Sequence, residues 1–468
     1  MVIKMSISKF DRVQLKSLEL HNFMNVDEGK IILVSDNTDS EPSNHVMGIY
    51  GQNGSGKTAF IHALAILRQC FTGAKLDNDV PSYIQVGQKA LKLYTVWKTA
   101  YKARVLEIYY DVTISKNDDE NQAPAQITEE IISVKLPGER KKKLIISNEK
   151  NVLAPKKIFS TIFKHSGKEL IDFKVNKVLI KSQGRSYLFS DELYQLVKKG
   201  TIKSGEQDLD TLSQVLLGLK MFAWEFFYVI GIKDIGFINL GLLQPVYYHV
   251  ENLNEHYFGS MALPLNGSGQ IPSKLYTIAE KFVHDENEVL KYLIPGLQIK
   301  LKVISEELDK NAEKLFNAQL MAIRNGKEIP LKYESAGIKK ILSILHVFIG
   351  AFNQPSMIVA IDELDAGIFE YLLGELLSIF QEEGKGQLIF TSHNLRPLEV
   401  LDKQSIVFTT TNSHNRYIHL KNVKNNNNLR DVYYRTILLG GQEEEMYQET
   451  NRYELELSLK RVGSDAKK

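Results

Sequence analysis

The stretch VMGIYGQNGSGKTAFIHALAILRQCF, residues 46–71, decides the fold of this chain. Its middle part, GQNGSGKT at residues 51–58, matches the G-x-x-x-x-G-K-[ST] phosphate-loop pattern in full. A short apolar run precedes the loop and an apolar pattern with helical spacing follows it, which predicts strand, loop and helix. A chance glycine-rich turn is the competing interpretation, and the strand-to-helix context argues against it.

Each residue type in this loop suits phosphate binding. Glycines let backbone N–H groups turn inward around phosphate oxygens, while the following helix presents the positive end of its dipole. We expect Lys57 to reach the β- and γ-phosphates and Thr58 to offer its hydroxyl to Mg²⁺. The predicted nucleotide-binding residues of the loop are Gly51, Gln52, Asn53, Gly54, Ser55, Gly56, Lys57 and Thr58. The loop therefore predicts ATP and Mg²⁺ as ligands.

An apolar strand followed by two adjacent carboxylates lies at residues 357–363, MIVAIDE. Neighbouring side chains of a strand point to opposite sides, so Asp362 and Glu363 can do different jobs. Asp362 suits the Mg²⁺ shell, and Glu363 suits a general base that orients the attacking water. Apolar strands also end in acids for solubility alone, but the phosphate loop upstream favours the functional interpretation.

A second apolar strand ends in Thr391, Ser392 and His393 within QLIFTSHN. The carboxyl ends of parallel strands share one edge of a sheet, so His393 is expected to hydrogen-bond the γ-phosphate. A histidine after a strand is often incidental. Its spacing of about one βα unit from the acidic pair favours a role in catalysis beside Lys57 and Glu363.

The stretch YESAGIKKILSILHVFIG begins with a candidate helix start. Ser335 precedes an apolar pattern with helical spacing and is a good N-cap, and Gly337 permits the close approach of an anion. A helix cap alone would also explain Ser335. Local sequence leaves both interpretations open.

The pattern of elements predicts an α/β fold in which a mixed sheet is flanked by helices and preceded by antiparallel strands. The expected domains are residues 1–115 with the phosphate loop, an inserted α/β lobe at 116–295, the rest of the head at 296–424, and a tail at 425–468. Asn325-Gly326 between two alternating runs predicts a β-hairpin.

Composition limits the partners and the compartment. The net charge of +2 provides no field over the whole molecule that would attract nucleic acid, so any such contact has to be local. The single cysteine, Cys70, fits a reducing compartment. No apolar run was found that approaches the roughly 18 residues of a membrane span, and the first residues lack the apolar core of a signal peptide. A cytoplasmic protein with no membrane contact is expected.

The four motifs, in this order, resemble the head of ABC-type ATPases. ESAGI is similar to the family's LSGGQ signature, with Ser335 and Gly337 on its serine and second glycine and Ala336 departing from the first glycine. Asp365, in DELDAG, matches the aspartate of the D-loop. Because the family's signature closes over ATP bound to another subunit, the resemblance implies a homodimer, or a higher homo-oligomer, with ATP between the heads.

Within that class, LELHNF followed by GQNGSGKT resembles SMC, RecF and overcoming-lysogenisation-defect ATPases more than transporter ATPases. The Q-loop glutamine has two candidates, Gln85 and Gln88. The stretch NLRDVYYRTILLGGQ, residues 428–442, is similar to the tail of ATP-binding proteins from abortive-infection and defence operons. The resemblance covers residues 1–115 and 296–424 and says little about the insert.

Two functions follow from these resemblances. The first is a sensor or scaffold of an anti-phage defence system that controls a separate effector, a nuclease or a toxin. The second is a RecF/SMC-like ATPase of DNA maintenance that binds nucleic acid in an ATP-dependent way, for which the basic runs at 140–143 and 156–157 are the local signal. Such runs are more often solvated loops.

Overall fold

The computed structural model describes residues 3–4, 10–34, 45–101, 104–149, 152–156, 159–160, 167–204, 207–231, 243–250, 257–308, 310, 312–421 and 428–465. The strands are β1 (Ile3–Lys4), β2 (Phe10–Phe23), β3 (Val26–Ile32), β4 (Val46–Tyr50), β5 (Ala90–Tyr101), β6 (Arg104–Lys116), β7 (Ala125–Lys135), β8 (Lys143–Glu149), β9 (Val152–Ala154), β10 (Phe227–Ile230), β11 (Leu243–Val250), β12 (Tyr257–Pro264), β13 (Ser268–Pro272), β14 (Gln298–Leu308), β15 (Lys314–Arg324), β16 (Lys327–Pro330), β17 (Ile358–Ile361), β18 (Gln387–Thr391), β19 (Ile406–Thr409) and β20 (Tyr417–Ile418). The helices are α1 (Lys57–Thr72), α2 (Gly167–Ser182), α3 (Asp191–Ser204), α4 (Gln207–Glu225), α5 (Ser273–Leu293), α6 (Ala336–Asn353), α7 (Glu370–Glu383), α8 (Pro397–Val400), α9 (Leu429–Leu439) and α10 (Arg452–Asp465).

A six-stranded sheet in the order β10-β17-β18-β4-β19-β20 places the motifs along one edge. All pairs in it are parallel except β19 with β20. The strand of the phosphate loop, β4, lies beside β18, and β18 lies beside β17. The carboxyl ends of these three strands carry Gly51, His393 and Asp362, so residues that are distant in sequence meet there.

Alternate side chains of this sheet pack on its two faces. Met47 and Ile49 of β4 join one cluster with α1, whereas Val46 and Tyr50 join another with α6 and α7. All four side chains are buried. Because both faces of this sheet are covered, successive side chains of a strand are all buried. This explains why β4, β17 and β18 are nearly continuous apolar runs. The predicted α/β class, with mixed sheets flanked by helices, is confirmed.

The other sheets cross the predicted domain boundaries. A seven-stranded antiparallel sheet runs β3-β2-β5-β6-β7-β8-β9, so strands from the predicted insert extend the sheet of the N-terminal part. A four-stranded sheet pairs β13 with β15 across residue 295. The segment after β6, where the first predicted boundary lies, forms a connection between two paired strands. The domain limits at 115 and 295 remain a prediction.

Three local expectations can be compared with the structure directly. β17, α7 and β18 form the predicted parallel βαβ unit. Asn325 and Gly326, with φ of 49° and 76°, connect β15 to β16 as the predicted hairpin. By length and composition α6, with 18 residues, is apolar enough to cross a membrane, although it includes Lys339 and Lys340 and is not an uninterrupted apolar run. It nevertheless packs Ile344 in one core cluster and Leu345 in another, as a core helix does.

Candidate active site

The phosphate loop has the backbone conformation that its glycines permit. Gly51 has φ of 152°, and a Cβ there would lie 1.7 Å from Oγ1 of Thr409, so no larger residue fits. Gly56 precedes α1 with φ of 97°, in the left-handed region that favours glycine. The Lys57 ammonium donates to the carbonyl oxygens of Gly51, at 2.8 Å, and Gln52, at 3.0 Å. The cation therefore lies over the centre of its own loop.

A cavity of about 470 Å³ opens where this loop meets the ends of β17 and β18. Its lining residues are Met24, Asn25, Asn53, Gly54, Gly56, Lys57, Thr58, Ala59, Asp362, Glu363, Thr391 and His393. The structure thus brings together the predicted catalytic residues Lys57, Glu363 and His393 with the predicted metal ligands Thr58 and Asp362. Gly51, Gln52 and Ser55 belong to the loop but do not line the cavity.

Asp362 is completely buried at the wall of this cavity. Its Oδ1 accepts a hydrogen bond from the Thr391 hydroxyl, while its Oδ2 has no hydrogen-bond partner within the described part of the chain. A buried carboxylate oxygen without a donor is costly unless a cation compensates it. Together with the Thr58 hydroxyl it offers the hard oxygen ligands that Mg²⁺ prefers. The residues present fit a Mg²⁺ site.

Glu363 is held in an unusual conformation beside Asp362. Its φ of 47° lies in the left-handed region, which costs a residue with a side chain about 1–3 kcal/mol. Its backbone N–H donates to Oγ1 of Thr391 at 2.7 Å, and its carboxylate lines the cavity. Thr391 therefore fixes both acids, since the same hydroxyl donates to Asp362. Its position at the end of β18 was visible in the sequence, but its role depends on pairing with β17.

Lys57 has more acidic than basic neighbours around the cavity. Burial lowers the pKa of Lys57, and the carboxylates of Asp362, Glu363 and Asp365 oppose that shift. A cation and three nearby acids form a site in which phosphate charge and a divalent cation would offset one another.

Asp365 does not line the cavity but positions a residue that does. Its Oδ2 accepts from the backbone N–H groups of His393, at 3.2 Å, and Asn394, at 3.0 Å. The loop after β17 thereby holds the loop after β18. His393 itself is exposed at the cavity.

Comparison with known proteins shows the family. Residues 17–329, two thirds of the chain, match the model of the AAA domain family AAA_23. The chain belongs to this family. The matched part of the chain includes the phosphate loop and ends before Ser335 and the acidic pair. No curated protein gives a significant match.

Solved structures resemble this chain only distantly. They include an SMC head domain with an extended coiled coil from Pyrococcus furiosus, bound to the C-terminal domain of ScpA, at 14% identity and TM-score 0.38, covering 87% of this chain and 96% of that one. The SMC head domain from Thermotoga maritima is 14% identical with a TM-score of 0.36, and the match covers 87% of this chain and 99% of that one. RecF of the RecFOR pathway is 11% identical with a TM-score of 0.35, and the match covers 82% of this chain and 94% of that one. Likenesses at this level establish neither substrate nor partner.

The signature-like turn lies outside the cavity of its own chain. Ser335 caps α6, and its Oγ accepts from the backbone N–H of Ile338 at 3.3 Å. A Cβ on Gly337 would lie 2.1 Å from the carbonyl oxygen of Gly367, so glycine is required by a close approach within one chain. Neither residue lines the cavity of the same chain. Their predicted contact with ATP needs a second copy.

Neither candidate for the Q-loop glutamine lines the cavity. The Gln85 side chain donates to Asp27, and Gln88 is exposed. Met24 and Asn25, from the turn between β2 and β3, line it instead, and the Asn25 amide donates to the carbonyl of Gly54. Sequence reasoning missed both residues, because only the pairing of distant segments brings this turn to the phosphate loop.

Proposed function

We propose that this chain binds ATP with Mg²⁺ in this cavity and hydrolyses it to ADP and phosphate. One observation carries the proposal: the buried, unpartnered oxygen of Asp362 shares a cavity with Lys57 and Thr58. Lys57 binds the β- and γ-phosphates, and the loop N–H groups cradle them. Thr58 and Asp362 hold Mg²⁺, which when bound neutralises phosphate charge.

Glu363 and His393 act on the reacting end of the nucleotide. The Glu363 carboxylate takes a proton from the water that attacks the γ-phosphorus, and the bond from phosphorus to the bridging oxygen of ADP breaks. His393 hydrogen-bonds the γ-phosphate. Asp365 orients His393 through the backbone N–H groups of its loop.

The site is completed by a second copy of the chain. Ser335 and Ala336 are exposed, and a helix N-terminus of this kind suits an anion such as the γ-phosphate. In the proposed homodimer, or higher homo-oligomer, Ser335 and Gly337 of one copy face the phosphate-loop-bound ATP of the other. The support is the resemblance of ESAGI to a signature motif, together with its position outside the cavity of its own chain.

Glu363→Gln tests this function. Because a general base contributes about 10²–10⁴-fold to a rate, ATP turnover should fall at least about 100-fold. ATP affinity should be retained, and the ATP-bound dimer should accumulate in size-exclusion chromatography with light scattering. Glu383→Gln, on an exposed position of α7 away from the cavity, is the matched control. Turnover at the wild-type rate in Glu363→Gln would show that another group activates the water.

For the cellular role we propose a cytoplasmic sensor or scaffold of anti-phage defence that controls a separate effector nuclease or toxin. The support is the resemblance of residues 428–442 to tails of defence-operon ATPases. In this stretch α9 exposes Tyr434, Leu438 and Leu439, which is apolar surface that a partner could cover. Toxicity in cells should require a neighbouring gene that encodes the effector, so toxicity from this chain alone would contradict the role.

The alternative role is ATP-dependent DNA binding. It is favoured by the exposed basic run at 140–143 in the connection from β7 to β8. Two of its charges already face acids: Lys143 lies 2.7 Å from Asp208, and Lys142 lies 3.8 Å from Asp111. DNA binding that requires ATP and weakens steeply with salt would select this role over the scaffold.

A further inference from the structure

The segment after α9 runs back to the nucleotide cavity. Thr411 donates its backbone N–H to the carbonyl of Glu445 at 2.7 Å, and the Asn412 amide donates to Glu444 at 3.0 Å. Met446 is buried, although its neighbours are polar. Thr411 and Asn412 lie in the loop between β19 and β20. Arg416, at the end of this loop, donates to the carbonyl of Asn25, which lines the cavity. The segment is therefore anchored to the wall of the site.

Two reciprocal hydrogen bonds tie this segment to the phosphate loop itself. The backbone N–H of Gln448 donates to Oε1 of Gln52 at 3.0 Å, and Nε2 of Gln52 lies 3.4 Å from the carbonyl of Gln448. α10 begins at Arg452, four residues later. Four residues span at most about 14 Å, so α10 starts within that distance of the loop.

α10 leaves its apolar side chains on the surface. Leu455, Leu459 and Val462 have the spacing i, i+4 and i+7, which puts them on one face. They are exposed by 50%, 68% and 75%. An isolated helix of 14 residues is marginal in water, and its stability normally comes from burying such a face.

A second exposed apolar surface flanks the signature-like turn. We define the aromatic surface as Tyr333, Phe369 and Tyr371, exposed by 70%, 69% and 55%. Tyr333 precedes Ser335 by two residues, and the loop of Gly367 that leads to Phe369 touches Gly337. These side chains therefore lie on the two segments that flank the turn, which the proposed dimer places over the phosphate loop of the other copy.

We propose that α10 of one copy docks on the aromatic surface of a second copy, which rests on the proposed head-to-tail dimer. The occupant follows from position, because α10 is tethered beside Gln52 and the phosphate loop of one copy faces the signature-like turn of the other. A helix of 14 residues is about 21 Å long, so α10 can extend from beside Gln52 over the residues that flank the signature-like turn of the other copy. Each dimer then contains two docked α10 helices, which we call arms.

The charges at the two surfaces are complementary. The N-terminal part of α10 carries the exposed Glu454, whereas Glu456 pairs with Lys460 on the same helix. Two cations sit on the aromatic surface: Lys332 lies 4.9 Å from the ring centre of Tyr333, and Arg396, which also pairs with Glu399, lies 4.8 Å from that of Tyr371. Acidic side chains approaching these cations would fix the direction of the helix.

The first test is the double variant Leu459→Gln with Val462→Gln, made in the Glu363→Gln chain. With ATP and Mg²⁺, its dimer dissociation constant should rise at least about tenfold, since two exposed apolar groups per arm lose their burial. The control is Glu456→Gln with Lys460→Gln, which changes two exposed residues on another side of α10. Analytical ultracentrifugation measures both. Equal dissociation constants in test and control variants would overturn the proposal.

The second test locates the contact. Cys70 is buried, so cysteines introduced on the surface are the reactive ones. Ser458→Cys in one tagged copy and Glu370→Cys in a differently tagged copy should form a disulfide only when ATP is present. Absence of the mixed disulfide in an ATP-bound dimer overturns the docking site while the ATPase proposal stands. If Glu363→Gln with ATP forms no dimer at all, the head-to-tail dimer and the arm fail together.

Discussion

Thr391→Val removes one hydroxyl that bonds both Asp362 and Glu363. Thr391 is completely buried at the end of β18. Its Oγ1 donates to Asp362 and accepts the backbone N–H of Glu363 at 2.7 Å. Valine keeps nearly the same shape but leaves a buried carboxylate with no donor on either oxygen within the described part of the chain. The substitution therefore separates hydrogen bonding from packing.

The size of the effect follows from the two lost bonds. A hydrogen bond to a charged group contributes about 1.5–3 kcal/mol and a neutral one about 0.5–1.5 kcal/mol, so the folded state should lose about 2–4.5 kcal/mol. The Glu363 backbone, at φ of 47°, loses the bond that offsets its strain. Displacing Glu363 should also raise the activation free energy of hydrolysis. A rise of about 1.4 kcal/mol lowers kcat tenfold.

Steady-state ATP hydrolysis over a range of Mg²⁺ concentrations separates positioning from simple destabilisation. Thr391→Val should lower kcat about tenfold and raise the Mg²⁺ concentration needed for half-maximal rate, because Asp362 is misplaced. Thr391→Ser keeps the hydroxyl and should restore both values. The melting temperature checks that each protein is folded. Wild-type kcat and Mg²⁺ dependence in the valine variant would refute the role of Thr391.

Three further substitutions test other parts of the molecule. Lys57→Ala should weaken ATP binding in calorimetry at least about tenfold, since a charge-assisted contact contributes about 1.5–3 kcal/mol, and unchanged affinity would contradict its phosphate contact. Ser335→Arg should spare ATP affinity but prevent the ATP-dependent dimer in light scattering; a dimer that still forms would remove Ser335 from the interface. Glu130, completely buried, accepts from Tyr110, Ser186 and the backbone of Tyr187 and Leu188. Glu130→Gln places an amide N–H₂ against these donors and should cost about 1–3 kcal/mol in thermal unfolding without changing ATP affinity.

The parts of the site predicted from sequence are those with local signals. The phosphate loop is contiguous, and its strand-loop-helix context is written in residues 46–71, so Lys57 and Thr58 could be assigned directly. Asp362, Glu363 and His393 follow apolar strands, and the parallel sheet brings them to the same edge. Local periodicity and the rule of parallel strand ends were sufficient for these positions.

What the sequence could not show depends on pairing between distant segments. Thr391 bonds Glu363 and Asp362 only because β18 lies beside β17, and Asn25 reaches Gly54 only because the β2–β3 turn folds over the loop. The predicted insert supplies β7 to the antiparallel sheet and β10 to the central sheet. A charged connection resembles a domain boundary in sequence, whereas strand order is set by tertiary packing.

The signature-like turn shows how far one motif can support a dimer. Ser335 acts as an N-cap, and Gly337 avoids a clash with the carbonyl of Gly367, so both residue types are explained within a single chain. Their identity alone is therefore weaker support for a contact with a second copy than the resemblance suggests. Their placement is stronger support, because Ser335 and Ala336 are exposed, the turn lies outside the cavity of its own chain, and the segments next to it carry exposed aromatic rings. Since a cap tolerates substitution at a cost of about 1 kcal/mol, Ser335→Arg should leave the monomer folded, and its dimerisation then reports on the interface alone.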